Sequence, residues 1–278
     1  MTSFIELFSY GFIQRALLAG ILIGVLCAVL GVFLVLRRLS LIGDGLAHVT
    51  FGSVALALFA GLQGAAMLLV SLPVVLLASL GILKLAARAR LGGDAAIGIV
   101  SSLGVSTGVM LAVMGQGYGV DLFSYLFGSI LAISTTELLV AAGLFAAVLG
   151  LLWLYYHELV ALTFNEELAV VSGIKVRFLN SLLAALTALT VVLAMKLVGV
   201  MLISALLILP ASAALQIARG FRMTVVISVV IALLAVVGGI LLSFLFNLPS
   251  GATIIMLAFA QFCLCFLFRQ LRGVRNKS

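Results

Sequence analysis

The stretch GFIQRALLAGILIGVLCAVLGVFLVL, residues 11–36, decides the class of this chain. A helix needs about 20 predominantly apolar residues to cross the hydrocarbon of a bilayer, and this run exceeds that with Arg15 as its one charge. It has no small-residue cleavage pattern and is long enough to span, so it reads as a first transmembrane helix rather than a removable leader. The remaining sequence repeats the pattern. Of 278 residues, 65% are hydrophobic and 8% charged, with a mean hydropathy of +1.45. A water-soluble chain could not cover that much apolar surface. The expectation is an all-α, polytopic membrane protein, a single transmembrane domain over residues 1–278 with no soluble domain.

Apolar runs separated by Gly, Pro or charge place spans near 11–36, 44–63, 65–86, 95–116, 136–156, 177–197, 199–218, 223–246 and 250–269, nine in all. Residues 120–134, VDLFSYLFGSILAIS, are too short for a comfortable crossing, and their Gly and Ser suit a short or re-entrant helix. Eight or ten crossings therefore fit the same runs. With the N-terminus outside, the inner face receives Arg37, Arg38, Lys84, Arg88, Arg90, Lys175, Arg177, Arg219, Arg222, Arg269, Arg272, Arg275 and Lys277, which is 13 of the 15 basic residues. Only Arg15 and Lys196 remain outside. The positive-inside rule thus orients the N-terminus outward and the C-terminal tail into the cytoplasm. The same rule accounts for the net charge of +7, which marks inner loops and anionic lipid headgroups rather than nucleic acid. Cys27, Cys263 and Cys265 all lie in apolar runs, and a spacing of two puts the last pair on different sides of a helix. Neither a disulfide framework nor a thiolate metal site is indicated.

Against this background residues 37–52, RRLSLIGDGLAHVTFG, stand out, because Asp44 and His48 lie four apart in a chain nearly free of ionisable groups. An intramembrane carboxylate or imidazole is costly unless it faces protein interior or water, which makes the pair a functional-site hypothesis by default. Four-residue spacing points both side chains from one helix face. So placed, they can co-ligate a divalent transition metal, since imidazole suits zinc and its neighbours while carboxylate is accepted by manganese and zinc alike. A helix continuous from Arg38 would carry Asp44 about 9 Å and His48 about 15 Å into the core. The alternative is that Ser40 or Asp44 caps the helix N-terminus and His48 is a satisfied core residue.

The longest inner loop, HELVALTFNEELAVVSGIKVRF from His157 to Phe178, contains a second candidate. Asn165 to Val171 reads as a short helix capped by Asn165, with Glu166 and Glu167 in its first turn and Gly173 ending it. Acid on one side and Leu168, Ala169 and Val171 on another make a docking element for a soluble partner; an ordinary structured loop is the plainer reading. No G-x-x-x-x-G-K-[ST] occurs in the chain, so any ATP coupling must come from another subunit.

Four segments in order, RRLSLIGDGLAHVTFG, DLFSYLFGSILAIS from Asp121, ELAVVSGIKV from Glu167 and ALTVVLAMKLVGVMLISALLILPASAALQIAR from Ala188, resemble the zinc and manganese permease family of bacterial ABC importers. The likeness covers nearly the whole chain and is strongest to the high-affinity zinc uptake permeases. It implies the fold of the vitamin B12 and siderophore importer permeases, with halves related by inverted topology. It further implies a homodimer in the bacterial cytoplasmic (inner) membrane, a cytoplasmic ABC ATPase as partner and an extracytoplasmic metal-binding protein that feeds it. Carried over by position, the family's metal ligands fall on Asp44 and His48. Its ATPase-docking loop falls on Glu166, Glu167, Leu168, Ala169 and Gly173. Asp121 and Tyr125 fall at the outer end of the pathway.

The expected function is ATP-driven uptake of a divalent metal, zinc first, with manganese, iron or a metal chelate as alternatives. The chain is expected to be no enzyme itself and to hold no permanent cofactor. An intramembrane metalloenzyme is the reading from another class, and it lacks the third protein ligand that catalytic zinc usually has.

Overall fold

The computed structural model describes residues 11–62, 64, 66–88, 92–115, 134–195, 199 and 203–275, with side chains as far as 271. The readings on Asp121, Tyr125, Lys196 and the 120–133 segment lie outside the described residues. Eleven helices are found among the described residues: α1 (Gly11–Leu36), α2 (Ile42–Phe59), α3 (Ala66–Arg88), α4 (Gly93–Met114), α5 (Thr135–Leu154), α6 (Tyr156–Phe164), α7 (Glu166–Val171), α8 (Val176–Ala194), α9 (Ile203–Ile217), α10 (Phe221–Phe246) and α11 (Ser250–Arg275). The described residues contain no strand.

Each of the nine expected spans has a helix. Eight are long and apolar enough to cross a bilayer, and the seventh run supplies only the 15-residue α9. Within the described bundle α1, α2 and α8 are the most buried spans, whereas α4, α5 and α11 are largely exposed. Buried hydroxyls bond back to their own helices, as Thr187 Oγ1 does to Leu183 O at 2.8 Å and Thr190 Oγ1 to Leu186 O at 2.9 Å, which satisfies a polar atom where no water is at hand. Ser228 is used differently, donating across the helix boundary from α10 to Ala28 O of α1 at 3.1 Å.

Two expectations about local structure are corrected. The helix carrying Asp44 does not run on from Arg38. Arg38 adopts a left-handed φ of 58°, and Arg38 N–H and Leu39 N–H close on Val35 O and Leu34 O at 3.1 and 2.8 Å, the paired bonds of a Schellman ending. A fresh helix starts at Ile42. Residues 157–164 are not loop either. The chain bends at Tyr155 and immediately forms α6, whose Leu159 and Leu162 are buried; their three-residue spacing gives this segment an inner face.

Where α2 meets α4, backbone touches backbone. A Cβ on Gly52 would stand 2.5 Å from Gly104 O, and one on Gly104 would stand 2.7 Å from Val49 Cα and 2.8 Å from His48 O. Small residues permit such approach in lipid, where dispersion between close-packed helices must supply the attraction. Gly104→Leu is expected to cost at least about 1–3 kcal/mol of overpacking, because the neighbouring atoms are backbone and cannot rotate away. Thermal unfolding in detergent should show a clear fall in Tm for this variant. Gly98→Ala, on the same helix with nothing within 4 Å of the added Cβ, should leave Tm unchanged.

Candidate functional site

Asp44 lies in the first turn of α2, where the positive end of the helix dipole favours a carboxylate. Leu41 is the N-cap residue and no side chain caps this helix, so the capping role considered for Ser40 or Asp44 is not what the structure holds. His48 follows one turn later, with its Nε2 3.7 Å from Asp44 Oδ2. Measured from the start of the helix at Ile42, the axial rise is about 3 Å to Asp44 and about 9 Å to His48. The pair therefore sits nearer the helix end than a continuous helix would put it.

Both side chains keep access to solvent or a partner, with 48% of Asp44 and 30% of His48 exposed. The other polar groups on α2 are spent, since Thr50 Oγ1 donates to Leu46 O at 2.7 Å and Ser53 Oγ to Thr50 O at 2.8 Å. Gly45, Gly52 and Gly104 hold the backbone of α2 against α4. The imidazole and carboxylate thus project from a braced helix. Ligands each about 2.0–2.2 Å from a shared ion stand about 3.4 Å apart at the tetrahedral angle, close to the separation found here. Among the described residues no group of three or more His, Cys, Asp or Glu is placed to hold a metal. Among the described residues Asp44 and His48 thus stand as two candidate donors.

The second candidate is brought to a different place. α7 is capped as its sequence reads: Asn165 Oδ1 accepts from Leu168 N–H at 3.0 Å. Gly173 closes the helix at a φ of +79°, with Gly173 and Ile174 N–H bonding Val170 O and Ala169 O, each at 3.0 Å. Ala169 alone is buried, while Leu168 and Val171 are exposed along with Glu166 and Glu167.

The sequence marks Arg37 only as one of the inner charges, and the structure gives it more to do. Its guanidinium donates to Asn180 Oδ1 on α8 and to Glu166 Oε2 on α7, the latter at 3.1 Å, while its side chain is only 8% exposed. Burial lowers its pKa and the neighbouring Glu166 carboxylate partly offsets this. Nearby, Phe221 at the start of α10 meets Phe33, Phe164 and Tyr156 with ring centroids 5.2, 6.0 and 6.1 Å apart. The end of α1, α6, α7 and the starts of α8 and α10 therefore share one end of the bundle. Partners 129 and 143 residues away leave no periodicity by which the role of Arg37 could be read in the sequence.

Comparison with known proteins places these features in context. Residues 9–269 match the model of the ABC 3 transport family. A relative from Halalkalibacterium halodurans, the manganese transport system membrane protein MntC, is 33% identical, with 99% of this chain and 93% of the relative covered. The high-affinity zinc uptake system membrane protein ZnuB of Haemophilus influenzae is also 33% identical, covering 91% and 94%. Among solved structures, PsaBC from Streptococcus pneumoniae in complex with a Fab superposes with a TM-score of 0.84 at 33% identity, over 94% of this chain and 92% of that one. An inward-facing metal-chelate type ABC transporter shares the fold, with a TM-score of 0.71 at 17% identity over 91% and 84%.

Because the side chains of Asp44 and His48 are only partly covered, Asp44→Ala and His48→Ala should each leave Tm and membrane insertion intact. Each should nevertheless lower metal uptake by cells to the level of a strain lacking the chain. Full uptake by both variants would remove the pair from consideration.

Proposed function

This chain belongs to the ABC 3 transport family, and we propose that it is the membrane permease subunit of an ABC importer that carries a divalent transition metal inward. What supports the reading is the Asp44–His48 pair, two metal-ligating side chains 3.7 Å apart on a helix otherwise satisfied within itself. Two donors per chain form a weak site, which suits a carrier that must release as well as capture. A second copy of the chain would bring a second pair, and four donors complete a first-row coordination shell without thiolate. Homodimerisation is accordingly part of the proposal.

In this reading the end of the bundle that gathers Arg37, α6, α7 and the start of α10 faces the cytoplasm, and the N-terminus lies outside. α7 docks on an ABC ATPase, whose binding and hydrolysis of ATP rock the two permease copies and expose the metal site to each side in turn. An extracytoplasmic binding protein delivers the ion. Zinc is favoured over manganese by the Irving–Williams order for a site with imidazole, while the names of relatives support both metals. A cargo of manganese or zinc is therefore the reading, and growth decides between them. A strain lacking this chain should grow poorly under chelation. Rescue at lower zinc than manganese assigns zinc, and the reverse assigns manganese; rescue by neither, with iron effective, would sink both.

Docking carries its own consequence. Proline cannot adopt the +79° φ of Gly173, so Gly173→Pro should distort the end of α7. Reversing the charge of Glu166 and Glu167 together should weaken the exposed surface that α7 presents. Either change is expected to lose the ATPase from detergent pull-downs or to abolish transport-stimulated hydrolysis. If complex and stimulation survive both, the ATPase docks elsewhere.

A further inference from the structure

The geometry points to Arg37 as the positioning residue that links the docking helix α7 to the metal-bearing helix α2. The inference rests on the docking role just proposed for α7. Three observations carry it. First, α7 has little hold on the bundle: Ala169 is its one buried residue, and Glu166 is joined to Arg37. Second, the guanidinium is nearly enclosed and its donors reach two other helices, α7 through Glu166 and α8 through Asn180. Arginine's planar fork suits this, whereas a lysine ammonium is a single point of charge.

Third, Arg37 connects to α2 through a turn closed by backbone hydrogen bonds. After the Schellman bonds of Arg38 and Leu39, Ile42 N–H donates to Leu39 O at 3.1 Å and Gly45 N–H to Leu41 O at 3.0 Å. Asp44 lies between those last two donors. A displacement of Glu166 thus reaches the metal pair through one charge-assisted bond and one tight turn. Spatial contiguity alone does not establish coupling; what is required is a residue whose loss separates ATP hydrolysis from transport.

The test uses the permease purified with its ATPase and reconstituted in proteoliposomes, with zinc or manganese as the probe. Arg37→Gln removes the charge, and Asn180→Leu removes one acceptor while leaving the ion pair, serving also where the first variant inserts poorly. Both should keep the ATPase in the complex and keep hydrolysis in the absence of metal. Metal moved per ATP should fall about 5-fold or more, the lower end of measured couplings between sites. Arg37→Lys, which keeps the charge and loses the fork, should restore part of that ratio. An unchanged ratio in Arg37→Gln and Asn180→Leu overturns the inference while leaving the docking role of α7 standing. Loss of the ATPase from both variants overturns it as well, since Arg37 would then build the docking surface instead of linking it to α2. Failure of the docking role itself is seen separately, in retention of the ATPase by the chain with Glu166 and Glu167 reversed.

Discussion

The close approach of α2 and α4 is the constraint on which the candidate site depends. In lipid there is no hydrophobic drive to press two apolar helices together, so contact area and distance decide whether they stay. Gly52 and Gly104 remove the side chains from the crossing and let the backbones meet, with the carbonyl of His48 inside the contact. That arrangement fixes His48 at its backbone while its ring stays partly exposed beside Asp44. It also offsets a weakness, because Gly43, Gly45 and Gly52 each make α2 about 0.8–1.0 kcal/mol poorer as a helix than Ala would. α2 is helical chiefly because it is packed, and it therefore answers to its neighbours.

The distribution of polar groups follows from the same solvent. Hydroxyls in the bundle turn back on their own helices, as Thr50, Ser53, Ser79, Thr187 and Thr190 do, because an unpaired donor in hydrocarbon costs several kcal/mol. Some polar groups among the described residues are not consumed in this way. Asp44 and His48 are two of them, and they lie at the start of a span with part of their surface open. Arg37 is the opposite case, a cation nearly covered and held by a carboxylate and an amide. One set keeps part of its surface open, and the other ties elements together. Breaking such a covered pair leaves an uncompensated charge, so the two sets should respond to substitution in different ways.

The two short helices between α5 and α8 show how the exposed end is built. A capping box at Ser134 and Glu137 starts α5, the bend at Tyr155 redirects the chain into α6, and Asn165 and Gly173 bracket α7. α6 buries Leu159 and Leu162 and so belongs to the bundle. By contrast α7 buries little beyond Ala169 and leaves Leu168 and Val171 exposed. An apolar helix face held out from the body at the charged end of a membrane protein is suited to meeting another chain.

The sequence by itself determined the class and most of the elements. Long apolar runs must be helices where water is missing, and among the described residues eight of them are long enough to cross, with the short seventh run at α9 beside them. Capping at Asn165 and the ending at Gly173 were equally legible, since both are local chemistry within one turn. The Asp44–His48 pair was legible for the same reason, four residues being one helical turn. The tertiary structure alone decided the rest. That α1 stops at a left-handed Arg38 could not be read from a residue type that seldom adopts that conformation, and the true start of α2 follows from it. The helical state of 156–164 depends on a bundle for Leu159 and Leu162 to face. The bonds from Arg37 to Glu166 and Asn180 join residues more than a hundred positions apart. Sequence patterns report forces that act within a few residues; packing and charge pairing act through space, between segments whose neighbours only the fold can name.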